Sequence, residues 1–209
     1  MGILRKGVFG GFENKTGPLV GRSVNGKSVI SVVKHKAAKP VTFNQLDHRL
    51  RFEMVVAVLK WFNDWIAIGF KGPGVGRNTF GAAVKYNFSS LVAGIAPTYY
   101  IDYSKLVYSR GSLAGPHHAA IERHNDEVQL NWLPDVETQY NQYSDEASFV
   151  IYCPDKEMIL KFRNRTTRAA LGAVLSLPTG LEQVGLYAWM SFSSADGKVV
   201  SDSVYLGTI

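Results

Sequence analysis

The sequence predicts an α+β protein in which short N-terminal β-hairpins and an αα-hairpin precede a C-terminal antiparallel β-sandwich. Three patterns support this: a glycine-broken start, a 3.6-residue apolar period, and then short β-branched and aromatic segments at sandwich spacing. The 209 residues are 46% hydrophobic and 19% charged, so the chain is long enough to bury a sizeable core. This composition excludes a disordered, collagen-like or coiled-coil protein.

The N-terminal region predicts short strands joined by tight turns. Asn25-Gly26 is a two-residue hairpin signal, because both central positions of a type I′ turn need a positive φ. We expect Arg22–Val24 and Ser28–Val33 to be the arms of this hairpin. Lys15–Pro18 is a second turn candidate, and the basic segment 34–39 leads out of the region.

Two consecutive helices are predicted next, as an αα-hairpin. Thr42 and Gln45 have the spacing of a capping box, and the apolar stripe that follows continues for more than six turns. Further apolar residues would bury this helix on more than one side. Glycines at 69, 72 and 74 end it, and a second helix is predicted from a cap at Asn78 to Ala93. The apolar stripe consists of Leu46, Leu50, Met54, Ala57, Val58, Trp61, Phe62, Trp65 and Ile68.

The remaining residues predict the sandwich. Thr98–Arg110 is rich in β-branched and aromatic residues, Gly111–His118 is a predicted loop, and turn signals separate the segments that follow. We therefore expect two domains, a basic β and helical-hairpin domain at 1–110 and a sandwich at 111–209. The predicted strands of the sandwich are Glu127–Leu133, Ser148–Cys153, Met158–Phe162, Ala169–Leu177, Val184–Phe192 and Ser201–Leu206.

Several of these strands carry a family pattern. Val128–Trp132 has the form of a second strand with a buried tryptophan, and Tyr187–Phe192 has the form of a penultimate strand. With the turn at Ser194–Lys198 and a last strand at Ser201–Tyr205, residues 115–209 resemble a fibronectin type III or related immunoglobulin-like domain. Such sandwiches are common binding modules, although the fold alone does not give the function.

Six segments carry a second resemblance, which covers nearly the full length. They are Gly7–Phe12, Gly17–Gly21, Lys39–Arg49, Tyr99–Lys105, Ser109–Leu113 and Ser203–Gly207. Together they resemble an uncharacterised family of Bacteroidota proteins that is classed as a domain of unknown function. This resemblance supports the three-part layout and implies no known activity.

Positive charge is concentrated at the N-terminal end. Residues 1–51 carry ten Lys or Arg and two acidic residues, a net charge of +8, whereas residues 52–209 have a net charge of −2. Three interpretations stay open: a plain charged strand surface, contacts with nucleic-acid phosphates, and an assembly arm that packs on an acidic partner. The candidate contact residues are Arg5, Lys6, Lys15, Arg22, Lys27, Lys34, Lys36, Lys39, Arg49 and Arg51.

The sequence shows no signature of catalysis. It lacks a GxSxG elbow, an HExxH helix and a kinase-like set, and the single Cys153 excludes an intramolecular disulfide and a multi-cysteine zinc site. We therefore predict no catalytic residue, cofactor or metal. Three further groups have structural interpretations: Gly72–Thr79 as a connecting loop rather than an anion site, His117, His118 and His124 as a solvated loop rather than metal ligands, and Trp61, Phe62, Trp65, Phe80, Tyr86 and Phe88 as core rather than a ligand cleft.

No secretory signal or membrane-spanning segment is recognised. The most apolar stretch, Met54–Ile68, contains Lys60 and Asp64 and is shorter than the ~20 residues of a spanning helix. We expect a location in the cytoplasm or in a particle assembled there. The expected function is that of a non-enzymatic structural or interaction protein that assembles or anchors through its basic N-terminal region and presents the β-sandwich. Its expected partner is a protein or a second copy of itself, and no small-molecule substrate is predicted. The alternative is a nucleic-acid-binding protein that uses residues 1–51.

Overall fold

The chain forms two compact units, residues 1–43 and residues 44–209. The fold is described from a computed structural model. It describes residues 3–4, 11–24, 26–33, 40–71, 78–181 and 184–209. The basic segment 34–39 and most of the glycine-rich segment after the first predicted helix therefore lie outside the described residues.

The first unit is an antiparallel meander of four short strands. Both predicted turns are confirmed: Val24 pairs with Lys27 across the two-residue loop, where Gly26 has a φ of 77°, and Thr16 pairs with Leu19 across the other turn. The strands are β1 (Ile3–Leu4), β2 (Phe12–Thr16), β3 (Leu19–Val24) and β4 (Lys27–Val32).

Three helices follow, where two were predicted. The first, α1, begins as expected but ends before Phe62, whose φ of −97° and ψ of 7° leave the helical range. The predicted cap of the last helix is confirmed, because the Asn78 side chain accepts a hydrogen bond from the backbone N–H of Gly81 at 2.8 Å. The helices are α1 (Phe43–Trp61), α2 (Asn63–Gly69) and α3 (Thr79–Asn87).

The end of the second predicted helix is wrong, because a β-hairpin begins where we expected helical turns. Gly94 has a φ of 98°, and a Cβ at this position would lie 2.4 Å from the carbonyl oxygen of Thr98. This close approach of two backbones requires glycine. The hairpin consists of β5 (Val92–Ile95) and β6 (Thr98–Ile101). A short 3-10 helix (Tyr103–Lys105) and irregular backbone form the rest of Thr98–Arg110.

The C-terminal part is a seven-stranded antiparallel sandwich, which confirms the predicted fold class. One sheet has the strand order β10-β9-β12-β13 and the other has the order β11-β8-β7. This three-on-four arrangement is that of an immunoglobulin-like sandwich. The strands are β7 (His117–His124), β8 (Glu127–Leu133), β9 (Glu146–Cys153), β10 (Met158–Thr167), β11 (Gly172–Ser176), β12 (Tyr187–Ser193) and β13 (Val204–Thr208).

The predicted strands differ from the observed ones mainly at the edges of the sheets. β8 has its predicted bounds, whereas β7 falls partly in the predicted loop because its polar sequence lacks a strong β signal. β10 continues past Phe162, because its pairing with β9 resumes at Thr166 after an irregular stretch. The two sheets share a core in which Trp132, as predicted, is buried. Its ring packs edge-on against Phe192, with centroids 5.9 Å apart.

The helices cover the other face of the four-stranded sheet. At the break between α1 and α2, Phe62 is fully buried against Trp189 and Tyr152 of this sheet and against Tyr108, with ring centroids 5.4–6.0 Å apart. The two central strands, β9 and β12, are therefore buried on both faces. This packing joins residues from before and after position 110. The division into domains at 1–110 and 111–209 stays a prediction.

A buried ion pair holds the loops at one end of the sandwich. The Arg168 guanidinium donates to the Asp145 carboxylate at 3.1 Å and to the carbonyl oxygen of Ala114 at 2.7 Å. The guanidinium carbon lies 3.8 Å from the ring centroid of Phe192. The backbone carbonyl of Arg168 accepts a hydrogen bond from the indole N–H of Trp132 at 3.0 Å. One residue thus ties two loops to the central tryptophan of the core.

We expect Phe62→Ala to lower the free energy of unfolding by about 3–5 kcal/mol, because truncation of a buried aromatic side chain leaves a cavity. Urea denaturation followed by circular dichroism measures this loss. Phe43→Ala is the control, since Phe43 is 70% exposed and should cost less than about 0.5 kcal/mol. Equal losses of stability for the two variants would contradict the contribution of Phe62 to the contact between helices and sheet.

Arg168→Met should cost about 3–5 kcal/mol of stability, because it leaves the Asp145 carboxylate buried without its partner. Arg165→Met is the control, because Arg165 lies near the end of β10, three residues before Arg168, and its side chain is exposed. Denaturant titration of both variants at neutral pH provides the comparison. A loss no larger for Arg168→Met than for the control would show that the buried pair contributes nothing.

Stability should fall above about pH 10 because burial raises the pKa of Tyr108 above its ordinary value of 10.0. The raised pKa means that stability is complete below the unfolded pKa. It is lost as the unfolded chain ionises while the folded chain keeps its proton. Each such tyrosine contributes up to about 1.4 kcal/mol per pH unit. Tyr108→Phe should reduce this alkaline slope in denaturation at pH 9–11.5, whereas Tyr100→Phe, at an exposed position, should not.

Candidate functional site

The sheet of the first unit carries its basic side chains on one face. Lys15 pairs with Val20 and Lys27 pairs with Val24, so both share the face of β3 that also carries Arg22. All three basic side chains are exposed. We call Lys15, Arg22 and Lys27 the basic face.

The opposite face of the same sheet is aliphatic. Leu19 pairs with Val32, and Ile30 pairs with Gly21, so these side chains point away from the basic face. Leu19, Ile30 and Val32 are 38%, 56% and 62% exposed. Within residues 11–24, 26–33 and 40–43 only Gly21 is buried, and a Cβ there would lie 1.8 Å from the backbone oxygen of Phe12. We call Leu19, Ile30 and Val32 the aliphatic face.

The other predicted contact residues lie elsewhere: two are on α1 and five fall outside the described residues. Arg49 and Arg51 lie on α1, in the second unit, where Arg49 is exposed and Arg51 is half-buried with its guanidinium 5.2 Å from the ring centroid of Phe88. A common contact role for the ten basic residues therefore stays a prediction. The candidates outside the described residues are Arg5, Lys6, Lys34, Lys36 and Lys39.

Charged groups at the start of α1 act within the second unit. The Asp47 carboxylate accepts the hydroxyl hydrogen of Tyr99, and this hydrogen bond raises the pKa of Tyr99. The Arg51 guanidinium opposes that effect through its charge. Asp47 and Arg51 thus connect the helix to the β5–β6 hairpin and to α3.

The first half of α1 leaves its apolar stripe uncovered, which corrects the expectation of burial on more than one side. Phe43, Leu46 and Leu50 follow the helical spacing and are exposed. The buried residues of this helix are Val55, Val58 and Leu59, all in its second half. The described core packs only against that half, so the first turns present aliphatic and aromatic side chains at the surface.

The histidines lie on a strand and not in a loop. His117 and His118 are exposed on β7, and their ring centroids are 4.4 Å apart because His118 has a φ of 46° at an irregular point of the strand. This geometry differs from the opposite orientation that an ideal strand predicts. His124 lies 3.7 Å from the Glu122 carboxylate. Within the part of the chain that the structure describes, no group of three or more potential metal ligands occurs.

The remaining candidate residues belong to the core, are partly exposed, or lie outside the described residues. Cys153 is buried in the sandwich core. Residues 72–77, the body of the candidate anion loop, lie outside the described ranges. The expected core role is confirmed for Phe62 and Trp65, whereas Trp61 and Tyr86 are partly exposed. Over the described residues, the helices are too short or too polar to cross a bilayer.

Comparisons with known proteins relate the chain to a family and to solved structures. The fn3 domain of human collagen alpha-1(XX) chain is similar to 47% of this chain and over 84% of its own length, with 14% identity and a TM-score of 0.31. No curated protein matches significantly. The model of a family of unknown function, DUF6266, matches residues 11–207. Because this match spans nearly the whole sequence, the chain belongs to the DUF6266 family.

Proposed function

We propose that this protein is a non-enzymatic structural or interaction protein that self-assembles through residues 1–51 and uses its basic face to anchor an acidic partner. The observation that carries the proposal is the aliphatic face of the first unit. Aliphatic side chains on a small sheet are expected to be covered, because each stabilises a structure by about 1.5–3 kcal/mol when buried.

The energetics of the first unit favour an external partner. A sheet with one hydrophobic face must bury that face against another element. Within residues 11–24, 26–33 and 40–43 only a glycine is buried, so this part of the sheet gains little from its own side chains. A surface that completes the missing core would therefore stabilise the unit as well as bind it.

A second copy of the chain fits the aliphatic face. In a two-fold interface the same patch meets itself, so Leu19, Ile30 and Val32 of two copies would pack together. The basic faces would then point outward on both sides, which keeps their like charges apart. This arrangement leaves Lys15, Arg22 and Lys27 free to contact an acidic protein surface.

A nucleic-acid partner is the alternative that the basic face favours. Three exposed cations share one sheet face, and Lys and Arg side chains are the groups that neutralise phosphates. The aliphatic face and the exposed stripe of Phe43, Leu46 and Leu50 have no role in such contacts. Because these apolar residues fall in the same segment as the charge, a protein interface explains more of the segment.

We expect the full chain to form oligomers whose mass rises with concentration in light scattering. Ile30→Asp with Val32→Asp should weaken self-association by about 100-fold or more, because the change removes buried aliphatic area and adds charge. Val174→Asp is the matched control, at a 57% exposed position on β11.

A monomer at all concentrations would contradict the proposed assembly. Filter binding to DNA and RNA at two salt concentrations separates the alternative. Affinity that falls steeply with salt, and a slope reduced by Lys15→Gln, Arg22→Gln and Lys27→Gln together, would favour nucleic-acid binding instead.

A further inference from the structure

A cleft of about 240 Å³ lies in the second unit, where the end of α2 meets the four-stranded sheet of the sandwich. Trp65 and Ile68 of α2 line one wall, and Phe192 of β12 lines another. The volume is just below the range of about 300–1,000 Å³ typical of drug-sized ligands. The cleft therefore suits a small molecule with an apolar part.

An irregularity in β10 brings polar side chains to this cleft. The pairing of β10 with β9 is interrupted between Phe162 and Thr166, and Asn164 within this interval has a φ of 49°. The backbone N–H of Asn164 donates to the Ser148 hydroxyl oxygen at 3.0 Å, which fixes the irregularity on the neighbouring strand. Bulges of this kind redirect side chains and are frequent beside functional sites. Here Arg163 and Asn164 line the cleft.

The cleft carries uncompensated positive charge. Arg163 lies with its guanidinium carbon 4.9 Å from the ring centroid of Trp65, and Lys71 lines the cleft beyond the end of α2. Among the described residues, neither cation makes an ion pair within 4.0 Å.

The acidic groups on the bordering elements are already paired. The Asp64 carboxylate of α2 accepts from Lys161 at 2.6 Å, and Asp196 lies 2.9 Å from Lys198 in the turn that reaches the cleft. Arg163 contributes to the lowered pKa of Asp64, but the hydrogen bond from Lys161 is its main cause. Neither carboxylate is therefore available to neutralise Arg163 and Lys71 fully.

The hydrogen-bonding capacity left in the cleft consists mainly of donors. Asn164 Oδ1 accepts from the Ser148 hydroxyl at 3.3 Å, which leaves the amide N–H groups of Asn164 without an acceptor in the described chain. The Ser191 hydroxyl oxygen accepts from Tyr108 at 3.1 Å and retains its own hydrogen to donate. Together with the N–H groups of Arg163 and Lys71, these donors require a ligand rich in acceptors.

We propose that this cleft binds a small molecule that carries one oxyanion on an apolar or aromatic body. The oxyanion, a carboxylate or a phosphate ester, accepts hydrogen bonds from Arg163, Lys71 and Asn164. The body packs against Trp65, Ile68 and Phe192. The site lies in the second unit and requires no assembly through the first.

The test titrates the full chain with sodium benzoate, phenyl phosphate and neutral benzyl alcohol, by isothermal titration calorimetry and tryptophan fluorescence. We expect saturable 1:1 binding of benzoate or phenyl phosphate and none of benzyl alcohol. The preferred anion identifies the carboxylate or the phosphate class. Inorganic phosphate at equal ionic strength serves as the control for salt.

Arg163→Gln combined with Lys71→Gln should lower the affinity for the preferred anion by about 10–100-fold, because each substitution removes charged hydrogen bonds. Arg165→Gln, on the same strand but outside the cleft, should leave the affinity unchanged. Lys71→Gln alone, at an exposed position, is the second variant if the double substitution disturbs folding. Absence of saturable binding by both anions, or unchanged affinity in the folded charge variants, overturns the proposal.

Discussion

The packing of Phe62 against the sandwich is the contact on which the second unit depends. An aromatic ring at the point where the helix breaks lies among Trp189, Tyr152 and Tyr108, so the change of direction and the helix–sheet contact occur at one residue. The break turns α2 along the sheet, and Trp65 then lies where it lines the cleft. Core, helix arrangement and candidate ligand site therefore share one physical origin.

Arg168 has a comparable role at the other core of the molecule. Buried ion pairs are seldom a net source of stability, because desolvation offsets the attraction. The fixed fork of a guanidinium can nevertheless satisfy several acceptors at once, and here it serves a carboxylate and two loop carbonyls. The geometry suggests that its role is to specify where the loops lie, while the apolar core between the sheets supplies most of the stabilisation.

Sequence patterns predicted the architecture well wherever local chemistry determines the structure. The turn between Thr16 and Leu19, the pairing of Val24 with Lys27, the Asn78 cap and the buried Trp132 all follow from residue types with strong local preferences. The helix break at Phe62 was not predictable, because the apolar period continues through it and only the sheet beneath requires the bend. The cleft was missed for a similar reason. Arg163 and Lys71 are far apart in sequence, and an irregular strand brings one of them into place.

Burial of β9 and β12 on both faces has a consequence for how this chain can evolve. In β8 every second residue is exposed and can drift in sequence, whereas β9 and β12 offer almost no such positions. A substitution there must satisfy either the core between the sheets or the contact with the helices. Selection therefore acts unevenly on the two halves of the sandwich. We expect sequence substitutions within the family to accumulate faster at the exposed positions of β8 than in β9 and β12.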